Sequence, residues 1–129
     1  MCIRDRSWVT RVDEAAEKAL VHEGPPRDQL LAWFEEYVAL ISLHKGGPAK
    51  ITSAMGDPDS PIQTKCQVLT RASDKVFDRL REQHALRDGV ETLQVIRLVG
   101  GVATIADTGA LDADAVRPLL EVVADGLVR

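Results

Sequence analysis

A chain of 129 residues, 45% hydrophobic and 28% charged, is long enough and apolar enough to bury one core of its own. With 16 basic against 20 acidic residues the net charge is −4, and no surface rich enough in cations to neutralise phosphates is expected. Two cysteines exclude a disulfide framework and fit a reducing, cytoplasmic setting, while no apolar run approaches the roughly 20 residues of a membrane span and no secretory signal opens the chain.

The opening stretch, MCIRDR, shows no apolar periodicity. Written back into codons, it resembles the transposon end used to build shotgun sequencing libraries. Residues 1–6 are therefore expected to be adapter-derived, with Ser7 the first residue of a single domain over 7–129.

The periodicity is helical throughout, and no segment alternates with period two, so the chain reads as all-α with about six helices. The first is expected over Ser7–His22, with Trp8, Val9, Val12, Ala16, Ala19 and Leu20 on one stripe and Pro25 and Pro26 as its stop. A second runs over Arg27–Lys45 and is apolar nearly all round, which makes it central. Glycine-bearing loops leave room for a short helix over Pro48–Met55. The longest helix should be capped by Ser60, start at Pro61 and reach about Gln83, with Cys66, Leu69, Ala72, Val76 and Leu80 on its buried stripe. Arg71 with Asp74 and Lys75 with Asp78 belong to its solvated face.

The fifth helix carries two apolar stripes. Leu93, Ile96, Val99, Ala103 and Ala106 form one; Val95, Leu98, Val102 and Ile105 form another that a small domain has no evident way to cover. Gly100 and Gly101 interrupt this helix at a cost of about 1 kcal/mol each relative to alanine, which is understandable where a second helix backbone comes close, the alternative being a kink. In the last helix only Arg117, Glu121 and Asp125 form a polar line, and Pro118 marks either a bend or a late start after Asp114. Two copies are thus expected to pair their last two helices into a four-helix bundle, a homodimer whose interface includes Val95, Leu98, Gly101, Val102, Ile105, Leu120, Val123 and Leu127.

Nothing in the chain suggests catalysis. His22, His44 and His84 fall near ends of different elements, no metal-ligand spacing, nucleotide loop or di-iron pair is present, and no cofactor is expected. Glu35 and Glu36 read as the wet edge of the central helix, and Cys66 as core. Trp33, Phe34 and Tyr37 crowd one helix, with Met55 expected nearby; they are either core filling or the lining of a pocket for a flat or apolar molecule.

The segments LREQHALRDGVE, RLVGGVATI and LLEVVADGLVR, in this order, resemble the C-terminal domain of TetR-family transcriptional regulators, closest to the SbtR-like group. The resemblance extends over nearly all of 7–129. It implies a ligand-binding and dimerising domain of a bacterial repressor, reaching operator DNA only through an N-terminal helix-turn-helix domain that this chain does not supply. It also implies that the central helix lines the effector cavity, with Trp33, Phe34, Tyr37, Ile41, Met55, Leu69 and Ala72 as lining residues and a small apolar or aromatic effector. The alternative is a free-standing helical protein-interaction domain with no effector.

Overall fold

The computed structural model describes residues 2–129, with side chains described from residue 8 onward. Six helices follow one another: α1 (Cys2–Leu20), α2 (Pro26–Ile41), α3 (Gly47–Ala54), α4 (Gln63–Glu82), α5 (Thr92–Gly109) and α6 (Ala113–Leu127). The expected all-α architecture is what the chain adopts. Among the described residues one antiparallel bridge, Leu86 to Val128, stands outside the helices. α1 begins at Cys2 and not at Ser7, so its backbone runs unbroken through the segment expected to be foreign; Met1 lies outside the described residues.

Helix ends differ from the sequence expectation where local chemistry had alternatives. α4 starts at Gln63, because Ser60 Oγ accepts from the backbone N–H of Ile62 at 3.3 Å and closes a tight turn there. α2 ends at Ile41, four residues short of Lys45, and Leu43 is left exposed in the turn. α6 starts before Asp114, capped by Asp112, whose Oδ1 accepts from Ala115 N at 2.9 Å. It then passes through Pro118 without ending, although the proline withholds one backbone donor.

The nearly all-round apolar character of α2 has the expected consequence: it packs against each of the other five helices. Leu30, Trp33, Phe34, Tyr37 and Ile41 are all buried there. The rings meet edge to face, Trp33 with Tyr37 at 6.1 Å between centroids and Phe34 with Phe77 at 6.4 Å. Burying the indole N–H would be costly without an acceptor, and Ser73 Oγ of α4 supplies one at 3.2 Å.

The polar line of α6 turns inward toward α2. Arg27 at the start of α2 pairs with Asp125 and, at 3.4 Å, with Glu121, while Arg117 reaches Glu35 at 2.9 Å. These exposed pairs add little stability, but they orient α6 about its own axis. The C-terminal end of α6 is tied as well to the α4–α5 loop, where Arg87 N donates to Leu127 O at 2.8 Å and Arg129 N to Ala85 O at 2.9 Å.

Candidate functional site

With its polar line committed to α2, α6 presents an apolar face to solvent. Val122 is 71% exposed, and Leu119 on the preceding turn is exposed as well. On neighbouring α5, Ile105 is 61% and Leu98 54% exposed, with Gly101 and Val102 half-buried between them. Leu98, Gly101, Val102 and Ile105 recur at helical spacing and so share one face of α5.

Three residues expected on that surface lie elsewhere. Val95, Leu120 and Val123 are buried within the chain itself, and Leu127 is half-buried. Val95 falls in line with Val99 and Ala103, and Leu120 and Val123 with Val116, on the stripes that α5 and α6 turn to the core. Leu119 and Val122 take the outer positions instead. The two glycines also divide their roles. A Cβ on Gly100 would stand 2.2 Å from Thr52 Oγ1, so this residue lets α3 approach α5 inside the chain; at Gly101 nothing lies within 4 Å.

The residues nominated as pocket lining, Trp33, Phe34, Tyr37, Ile41, Met55, Leu69 and Ala72, are all buried and belong to the one hydrophobic core that the six helices share. Tyr37 OH, Thr52 Oγ1 and Gln63 Oε1 are buried and have no hydrogen-bond partner among the described residues. Cys66, buried as expected, directs its Sγ to Ile51 O at 3.8 Å. Burial holds the Tyr37 phenol above its ordinary range, and the neighbouring Cys66 charge adds to that; burial likewise pushes the Cys66 thiol up.

A separate open groove of about 480 Å³ lies between α2, the end of α5 and the start of α6. Small side chains leave the space, among them Ala39, Ala106 and Ala113, and the ion pairs Arg117–Glu35 and Lys45–Asp107 (3.9 Å) stand at its edge. None of the nominated lining residues faces it. The sequence carries the alanines, but that they oppose one another across three helices follows from packing alone.

Among the described residues, chemistry-bearing groups are not gathered elsewhere. His22, His44 and His84 are exposed in separate turns, and among the described residues no group of three His, Cys, Asp or Glu side chains is placed to hold a metal ion. Glu35 and Glu36, adjacent in sequence, pair outward with Arg117 and Lys18 respectively. Among the described residues, no helix is long and apolar enough to cross a membrane.

No curated protein and no solved structure matches this chain. A family model does: that of the C-terminal domain of SbtR-like transcriptional regulators matches residues 25–129, which takes in α2 to α6 and so both the aromatic core and the apolar face. The chain therefore belongs to the SbtR-like C-terminal domains of TetR-type transcriptional regulators.

Proposed function

We propose that the chain is the effector-sensing and self-associating part of a bacterial transcriptional repressor that works in the cytoplasm as a homodimer. The observation that carries this reading is the exposed apolar face of α5 and α6, with Leu98, Ile105, Leu119 and Val122 all in solvent. Two such faces, brought together about a two-fold axis, form a four-helix bundle and remove these side chains from water. Gly101, with open space over its Cα, is the place where the partner's backbone can come nearest.

The effector of this reading is a small apolar or aromatic molecule taken up between α2, α3 and α4, beside Phe34, Tyr37 and Ile41. α1 packs against both α2 and α4, so a change in their separation tilts α1. In the complete regulator α1 leads to a DNA-reading domain, and operator DNA is met only there. An effector that binds one tilt better than the other shifts the population of the two, and with it the spacing of the paired DNA-reading domains.

Light scattering and thermal melts against a panel of small apolar compounds test the two halves of the reading together. A dimer whose melting midpoint rises with one class of compound is the expected result, since a ligand bound only by the native state stabilises it. A dimer that no compound stabilises would instead be a free-standing interaction domain. A folded monomer at micromolar concentration overturns the self-association.

A further inference from the structure

The open groove between α2, the end of α5 and the start of α6 has an apolar floor. On α2, Val38 and Ala39 line it between Glu35 and Ser42; on α6, buried Val116 and Leu120 line it beside Arg117. These positions recur at helical spacing, so each helix turns one face to the space. Alanines keep it open: Ala39 and Ala113 are exposed in its walls, where longer side chains would reach across. At about 480 Å³ the groove is of the size that small organic ligands occupy.

Charge stands at two separate places along this floor. Arg117 Nη1 donates to Glu35 Oε1 at 2.9 Å. Lys45 Nζ lies 3.9 Å from Asp107 Oδ1 and donates to the Asp107 carbonyl, while Asp107 Oδ2 accepts from Gly46 N at 3.0 Å. From Glu35 to its end at Ile41, α2 rises about 9 Å, and Lys45 follows in the turn beyond. The two ion pairs are thus set apart along α2, with Val38 and Ala39 between them.

This arrangement selects what can bind. Glu35, Arg117, Lys45 and Asp107 are the charged residues that line the groove, and each cation stands beside a carboxylate, so their charges cancel. A ligand bearing a net charge would give up hydration to meet a like charge beside every opposite one. A hydroxyl group meets no such conflict, because it can donate to the carboxylate and accept from the cation of the same pair. Between the pairs the floor offers only apolar contact, and a hydrocarbon segment gains there by leaving water.

We propose that this groove binds a neutral, elongated amphiphile with an apolar middle and a hydroxyl at each end, one directed to Arg117 and Glu35 and the other to Lys45 and Asp107. The site is separate from the aromatic core and goes beyond the effector-sensing reading. Calorimetric titration of the full chain with octane-1,8-diol, octanoate and octylammonium, equal in carbon number, tests it. The diol is expected to bind about tenfold more tightly than either ion, the worth of one hydrogen bond. Ala39→Phe fills the groove from an exposed position, so it should keep the helical circular dichroism of the wild type and lose diol binding, while Ala39→Ser should retain it. Glu35→Gln leaves the Arg117 charge uncancelled and should turn the preference to octanoate. Wild-type binding of either ion as tight as that of the diol, diol binding that survives Ala39→Phe, an unchanged preference in Glu35→Gln, or no binding of any of the three overturns the assignment. Each of these outcomes leaves untouched an effector held beside Phe34 and Tyr37.

Discussion

Thr52 sits so tightly over Gly100 that a Cβ there would stand 2.2 Å from its Oγ1 and 3.2 Å from its Cβ. Rotating the threonine does not fully relieve the crowding, because its Cβ, which that rotation leaves in place, already stands at that 3.2 Å. The glycine pair that interrupts α5 thus serves two directions at once, and the two positions should respond differently to the same substitution. Gly100→Ala gains about 1 kcal/mol of helix propensity and loses about 1–3 kcal/mol to overpacking, so a net loss of up to about 2 kcal/mol is expected in denaturant titrations. Gly101→Ala, with nothing within 4 Å, should keep the fold and gain up to about 1 kcal/mol in a protomer, while weakening association if the partner backbone comes close.

The outward face of α5 and α6 should tolerate charge as a fold and fail as an interface. Ile105→Glu and Val122→Glu place a carboxylate where the side chain is already 61% and 71% exposed, and each should yield a folded monomer in light scattering. Leu120→Glu, one residue from exposed Leu119, buries the same charge in the core and should unfold the chain, seen as loss of helical circular dichroism. A dimer that survives both Ile105→Glu and Val122→Glu would place the contact elsewhere.

The bond from Trp33 Nε1 to Ser73 Oγ, 3.2 Å long and wholly buried, ties α2 to α4. Ser73→Ala leaves the indole N–H without its acceptor and should cost about 1–3 kcal/mol. Because the two groups are each other's partner, Trp33→Phe combined with Ser73→Ala should cost less than the sum of the single changes, a coupling that a double-mutant cycle measures directly.

Alkaline pH should destabilise the chain through Cys66 and Tyr37. Both groups are held above their ordinary values of 9.0 and 10.0 in the fold, so on raising the pH the unfolded chain gives up these protons first. The native state then binds more protons than the unfolded state, and stability falls as pH rises past about 9 and more steeply past about 10. Cys66→Ala should remove the first part of that fall and Tyr37→Phe the second, in melts taken across the alkaline range. A profile unchanged by either substitution would assign the loss to other groups.

Much of this architecture is legible in the residues because helical periodicity and helix stops are local. Pro25 and Pro26 end one helix and open the next, and the apolar circumference of α2 already says that it is surrounded. The aromatic cluster could likewise be located, since Trp33, Phe34 and Tyr37 are neighbours on one turn. Missed were Leu119 and Val122 as surface residues, together with Thr52 and Gln63 as unsatisfied groups. Their chemistry is ordinary along the chain and becomes unusual through what does or does not lie against it.

Local sequence by itself determined the helical class, the order of the six helices, the central place of α2 and the surplus of apolar side chains on α5. These depend on spacing of 3.6 residues and on breakers, which act within a few residues. Tertiary structure decided which member of each apolar pair faces out. In Leu119–Leu120 and Val122–Val123 both residues are equally apolar, and the rotation of α6 that separates them is set by Arg27 with Glu121 and Asp125 and by Arg117 with Glu35, across helices far apart in the chain. The same holds for Gly100 and Gly101, adjacent and identical, of which one meets Thr52 and the other meets nothing, because successive residues on a helix point about 100° apart.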